Sequence, residues 1–147
     1  MYSESENTDI SFYIKKLDNY ILRLSHSLYD RKEFREYSLM NMWVVDFLFD
    51  QKREIYQKDV EEEFFINRAT ASKMLSLMER KGLIRRVSAA RDARLKKLEL
   101  LPEGLRLHEA CQSIRSEIER TLTEALEPGE AEQFKEMCRR MMRHLLQ

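Results

Sequence analysis

The sequence predicts a mainly α-helical chain carrying one small β-hairpin, and three observations predict it. Only three glycines and two prolines occur among 147 residues, too few for a chain built on tight turns. Apolar residues recur at three- and four-residue steps through most of the chain, the period of an amphipathic helix. A single stretch, 83–100, instead holds two short runs with strand-like alternation. A content of 43% hydrophobic and 35% charged residues suits a globular domain, and the length favours one domain with a proper core. No apolar run approaches the ~20 residues of a membrane span, and the N-terminus lacks a signal-peptide core. With only two cysteines, a cytoplasmic, reducing setting without a membrane partner is expected.

In chain order, Met1 to Asp9 is polar and expected to fray. Ile10, Ile14, Leu17, Ile21, Leu24 and Leu28 then alternate steps of four and three, a heptad-like seam flanked by Tyr13 and Tyr20. Such a helix either covers its own chain or pairs with a second one. Leu39 to Phe49 is apolar nearly all round and so belongs at the centre of the core. Its polar members, Asn41 and Asp46, must face outward or find partners. Ile55 to Phe65 reads as a short helix, with Glu61, Glu62 and Glu63 turned to solvent. Beyond residue 100, Leu101, Leu105, His108, Cys111, Ile114, Ile118, Leu122 and Ala125 fall on one stripe of a helix expected over Leu101 to Glu127. Pro128-Gly129 breaks it. A last helix, about Glu130 to Leu146, shows Phe134, Met137, Cys138, Met141, Met142 and Leu145 at helical spacing.

The stretch from Asn67 to Leu100 carries the functional signal. Asn67 is a favoured N-cap and Gly82 a favoured residue just past a helix end, so a helix is bracketed between them. Ala71, Met74, Leu75 and Met78 form its buried stripe. Its first turn and a half presents Arg68, Ala69, Thr70, Ser72 and Lys73, side chains short enough for close approach and equipped to meet phosphates and base edges. Leu83 to Val87 and Leu95 to Leu100 read as two strands. Ser88 to Arg94 reads as a loop between them, too long for a tight turn. From Asn67 to Lys97 ten cationic residues face only Glu79 and Asp92, a net charge of +8. The whole chain, with 26 basic and 26 acidic residues, is neutral, so the remainder carries −8. Such polarisation is the footprint of a nucleic-acid binder.

The runs Thr70 to Arg86, Asp92-Ala-Arg94 and Leu100-Leu-Pro-Glu-Gly104, in this order and spacing, resemble the MarR family of bacterial winged-helix regulators. Leu101 departs from that pattern, standing where such proteins usually have Thr and removing an N-cap, although Pro102 suits a first helical turn. The resemblance implies a winged helix-turn-helix with a two-stranded β wing. Residues 1–147 then form a single domain, with about 36–100 as the DNA-binding lobe and the helices of about 10–35 and 101–147 as a dimerisation region. Residues 55–65 become the supporting helix, and the helix after Asn67 becomes the recognition helix. Arg68, Ala69, Thr70, Ser72, Lys73, Arg86, Arg91 and Arg94 are the expected DNA-binding residues, the wing arginines reaching a minor groove. Asp92, which phosphates would repel, is expected to brace an arginine of the wing or strands through an ion pair. Tyr13, Tyr20, Trp43 and Phe47 are either core packing or the lining of an effector pocket for a small aromatic or anionic compound.

Other chemistry finds little support. His108-x-x-Cys111, with Glu109 nearby, sits on an apolar stripe and supplies fewer than the about four ligands of a zinc site. Some members of the resembled family sense oxidants, but Cys111 and Cys138 stand where small hydrophobes belong. Met137, Met141 and Met142 read as core. No phosphate loop, nucleophile elbow or carboxylate pair is visible, so neither catalysis nor a cofactor is expected. The reading is a homodimeric repressor that binds a pseudo-palindromic double-stranded operator and is released by a small effector. A ligand-independent architectural DNA-binding protein and a protein–protein winged-helix module remain open.

Overall fold

A computed structural model describes residues 6–29 and 36–147. Residues 1–5 of the polar N-terminal segment, and 30–35 at the end of the first helical block, lie outside the described residues. The elements run α1 (Ile10–Tyr29), α2 (Leu39–Asp50), β1 (Ile55–Tyr56), α3 (Gln57–Phe64), α4 (Arg68–Arg80), β2 (Ile84–Ala89), β3 (Asp92–Leu100), α5 (Pro102–Thr123) and α6 (Glu130–Leu145). The chain divides into two compact units, Met1–Gln112 and Ser113–Gln147.

In the first unit, α2 is central, as its all-round apolarity requires. Leu39, Met42, Val44 and Val45 are buried. Ser38 caps it reciprocally with Asn41, Asn41 N–H donating to Ser38 Oγ (3.1 Å) and Ser38 N–H to Asn41 Oδ1 (3.2 Å). That pairing accounts for the buried Asn41. Asp46 is buried as well and lies 2.6 Å from Nδ1 of His108 on α5. The His108 ring stacks on Phe49, with centroids 3.9 Å apart. A buried carboxylate without such a partner would be costly.

Around α2 the core is completed by Val60 of α3, Ala71, Leu75 and Met78 of α4, Ile84 and Leu98 of the sheet, and Leu107 and Cys111 of α5. Met74, expected in the α4 stripe, is only half-buried. Tyr29 is buried with its hydroxyl 3.6 Å from Cys111 Sγ, and burial first, then the thiol, pushes its ionisation upward.

The sheet corrects the sequence reading in two ways. It has three strands, order β1-β3-β2, all antiparallel, because Ile55 and Tyr56 pair with Leu98 and Lys97 before α3 begins. The supporting helix therefore starts at Gln57 rather than Ile55, with Asp59 Oδ2 accepting the Tyr56 N–H at 2.8 Å. The expected connection between the strands is also bridged once. The regular ladder runs from Ile84↔Leu100 to Ser88↔Lys96, and after a register jump that leaves Ala93, Arg94 and Leu95 unpaired, Ala89 pairs with Asp92 around Ala90 and Arg91.

α5 also differs from expectation. It begins at Pro102, ends at Thr123 rather than Glu127, and buries Leu107, Cys111, Ile114 and Ile118 while Leu105 is exposed. Cys111, Ile114 and Ile118 keep the expected stripe, and only the first turns, around Gly104, depart from it. A Cβ there would lie 2.3 Å from the Leu83 carbonyl oxygen, which accepts the Leu101 N–H at 3.0 Å. The start of α5 is thus pressed against the turn after α4, and only glycine leaves room.

In the second unit α6 has no buried residue. Phe134, Met137, Met142 and Leu145 are all exposed, Leu145 to 82%. The N-terminal half of the α1 seam is similarly uncovered: Ile10 is 66% exposed, and Ile14 and Leu17 lie open beside Tyr13. Toward its end α1 sinks into the core at Leu28. Among the described residues, no helix is long and apolar enough to cross a membrane.

Candidate nucleic-acid interface

α3 and α4 form a helical pair joined by three residues. Phe65 ends α3 in the left-handed region at φ 49°, and Ile66 N–H closes back on the Glu61 carbonyl at 3.1 Å. α4 is then capped by Asn67, whose Oδ1 accepts the Thr70 N–H at 2.8 Å. At its far end Gly82 N–H bonds Glu79 O and Leu83 N–H bonds Met78 O, both at 3.0 Å, with Gly82 at φ 74°. Both bracketing residues act as their types predict.

With Ala71, Leu75 and Met78 fixing the buried face, the rotation of α4 is set. Arg68, Ala69, Thr70 and Lys73 face solvent, and Ser72 is half-buried. The exposed N-terminal turn therefore offers cations, a hydroxyl and a small methyl on one end of one helix, together with the positive end of its dipole.

The cations on the strands have different surroundings. Arg86 is turned inward, its side chain only 20% exposed. Its guanidinium donates to Ser76 Oγ at 2.7 Å and to Glu79 Oε1 at 3.4 Å on α4, and to Gln57 Oε1 at 3.5 Å on α3. The Arg86 backbone N–H also donates to Glu79 at 3.1 Å. Arg86 thus ties the sheet to both helices. Arg85 pairs with Glu99 across the strands, and Lys96 donates to Ser88 at 2.9 Å.

Arg94 is 91% exposed, yet Asp92 organises it. Asp92 Oδ1 accepts the Arg94 backbone N–H at 2.9 Å and its Nε–H at 3.2 Å, and Oδ2 accepts from Nη2 at 3.3 Å. The backbone bond first, then the side-chain bonds, hold the Asp92 carboxyl below the usual range. Arg91, at the turn, places its guanidinium 5.7 Å from the centre of the Tyr56 ring. Arg68 and Lys73 of α4, Arg91 of the turn and Arg94 of β3 thus present exposed cations, whereas Arg86 spends its charge on α3 and α4.

The four aromatic residues are placed unequally. Tyr13 and Tyr20 are about half exposed on α1, and Trp43 is exposed on α2. Tyr20 borders a shallow depression with Lys16, Asn19 and Arg23. Phe47 instead meets Phe64 of α3 edge to face, centroids 5.9 Å apart. Among the described residues no group of three or more His, Cys, Asp or Glu side chains is arranged to hold a metal ion.

Sequence reasoning passed over Tyr56, Ser76 and Gln57, whose contacts depend on how the sheet docks. It also treated Asp46 and His108 separately. Each was a lone polar group on an apolar face, which was the available signal that they belong together.

Residues 38–95 match the model of the MarR family. No match was found among curated proteins. The solved structures similar to this chain include the MepR–DNA complex of S. aureus, 24% identical with a TM-score of 0.83 over 94% of this chain and 99% of that one. S. aureus MepR in its DNA-binding conformation is 26% identical, with a TM-score of 0.76 over 93% and 98% of the two chains. The PcaV transcriptional regulator from Streptomyces coelicolor, in complex with its natural ligand, is 22% identical, with a TM-score of 0.81 over 97% of each chain.

Proposed function

We propose that this chain is a winged-helix regulator of the MarR type and a homodimeric, sequence-specific repressor of transcription, a reading that the match of residues 38–95 to the family model supports. It binds a pseudo-palindromic double-stranded operator and is released by a small effector. The observation that carries this reading is the N-terminal turn of α4. Its rotation is fixed by a buried stripe, leaving Arg68, Ala69, Thr70 and Lys73 to solvent in a segment of net charge +8. MepR, similar over nearly its whole length, was solved with DNA.

The roles follow from chemistry. Thr70, Ser72 and Lys73 read base edges in the major groove while Arg68 and Ala69 pack close to the phosphates. Arg94, held by Asp92, enters the adjacent minor groove, where narrow A·T-rich segments concentrate negative potential. Arg91 joins it from the turn. Arg86 supports the interface from behind, its charge already neutralised by Glu79.

Dimerisation supplies the second half-site. Ile10, Tyr13, Ile14 and Leu17 on α1, and Phe134, Met137, Met142 and Leu145 on α6, are apolar and uncovered within one chain. A second copy buries these faces, while the lobe of about 36–100 is left for DNA. PcaV was solved with its natural ligand, and Tyr13, Tyr20 and Trp43 are the accessible aromatics from which a pocket for an aromatic or anionic effector is built here.

The test is selection of bound sequences from random duplex DNA, followed by titration at several salt concentrations. A recovered pseudo-palindrome, with affinity falling steeply as salt rises, supports the reading. Uniform affinity for all sequences would favour an architectural role. Weak, salt-insensitive binding would favour a protein–protein module.

A further inference from the structure

β1 is only two residues long, yet its second residue stands beneath the tip of the hairpin. Tyr56 pairs through its backbone with Lys97 of β3, and its ring faces Arg91 at 5.7 Å. The ring is itself anchored, since Tyr56 Oη donates to Glu54 Oε2 at 2.8 Å. Glu54 is fixed in turn by Lys97, 3.2 Å away, and Lys97 reaches Glu99 at 3.5 Å. Glu99 pairs with Arg85. A chain of alternating charge therefore runs across the outer face of the sheet and ends on an aromatic ring under the turn.

The same residues line a concavity of about 670 Å³, bounded by Tyr56, Glu54 and Lys97 on one side and by 87–91 of the hairpin on the other. The hydrogen bond to Glu54 raises the ionisation of Tyr56. A guanidinium over such a ring is attracted to its negative face and loses rotamer freedom.

Building on the DNA-binding reading, we propose that Tyr56 is the positioning residue of the wing, holding Arg91 in place for its contact with the minor groove. Tyr56 touches no DNA. It acts by restricting a long, flexible cation at the tip of a two-residue turn before binding, so that less ordering remains when the groove is met.

Two measurements on the intact chain separate this proposal from the reading beneath it. In the free protein, the Arg91 side-chain protons should show an upfield ring-current shift in the nuclear magnetic resonance spectrum. Tyr56→Leu should abolish the shift and Tyr56→Phe should retain it. Absence of the shift in the wild type would overturn the proposal whatever the protein binds. With the selected operator duplex, Tyr56→Leu should weaken affinity about threefold to tenfold. Tyr56→Phe should stay within about twofold of wild type, and Tyr56→Leu should add nothing in an Arg91→Ala background. Full additivity of the two substitutions would overturn the proposal. If the shift were present and no duplex bound, the DNA-binding reading would fail while the clamp itself stood.

Discussion

Lys73 and Arg86 carry the same charge in the same basic segment, and the fold gives them opposite tasks. Lys73 stands exposed on α4. Lys73→Ala should therefore leave the unfolding transition within about 0.5 kcal/mol of wild type. In fluorescence anisotropy it should lose roughly 1–3 kcal/mol of operator binding. Arg86 spends its guanidinium on Ser76, Glu79 and Gln57. Arg86→Ala should cost about 1–3 kcal/mol of folding stability by leaving partly buried partners unmatched, seen as a lower urea midpoint. The exposure of Lys73 was legible because helical period and caps fix which face of α4 is buried. The inward turn of Arg86 was not, since its partners on α4 are reached only when β2 docks. Gly104 belongs to the same scale. Gly104→Ala would put a methyl 2.3 Å from the Leu83 carbonyl, and about 1–3 kcal/mol of destabilisation is expected. The resemblance marked this glycine in the sequence, and its reason is visible only in space.

At the scale of elements the hairpin is the clearest case of partial legibility. Two strands were readable, but their ends were not. Ser88, Ala89 and Ala93 have little strand propensity, and Ala90-Arg91 lacks the Asn-Gly or Asp-Gly signature of a two-residue turn. Pairing with the partner strand recruits Ser88 and Ala89 nonetheless, while Ala93 falls in the register jump and has no strand partner. Among the described residues, Phe65 is the one non-glycine with positive φ, so the turn is not of the mirror-image type that fits a hairpin, and the irregularity at Ser88/Ala89 absorbs the mismatch. The Asp92–Arg94 bonds then aim the wing. Arg94→Ala should weaken binding most at operators with A·T-rich flanks, compared by titrating matched duplexes.

A second element-scale junction joins α4, the segment before α2, and α5. Lys81 Nζ donates to the Glu36 carbonyl at 2.7 Å and lies over the Tyr37 ring, and Tyr37 Oη donates to Glu103 at 3.2 Å. Burial first, then the bond to Glu103, pushes the Tyr37 hydroxyl up to about 12. The folded state thus favours the neutral phenol. Its contribution is fully present below the unfolded value near 10 and is lost as pH rises toward 12. Stability measured by urea titration should fall across that window, and Tyr37→Phe should flatten the fall without abolishing it, because Tyr29 is shifted the same way.

For the molecule as a whole, the sequence carried the division of labour in its charge and its apolar seams. Ile10 to Leu28 and Phe134 to Leu145 announced faces in need of cover. What they could not announce was where each seam ends: α1 is uncovered at Ile10 and buried at Leu28. The proposed dimer makes Leu17→Asp place a charge in an apolar interface, so this variant should sediment as a monomer where the wild type is a dimer at micromolar concentration. Trp43, the single tryptophan, should report effector binding by fluorescence, and an effective compound should shift operator affinity by about 1–3 kcal/mol.

In the proposed dimer two copies of α4 read one duplex. Hydroxyl-radical footprinting of the wild-type protein on its selected operator tests it most directly. Two protected half-sites related by a dyad are expected, their centres about 10 bp or a multiple of it apart. Arg94→Ala should lose the protection flanking each half-site and keep the rest. A single protected half-site, or uniform protection with no preferred sequence, would contradict it.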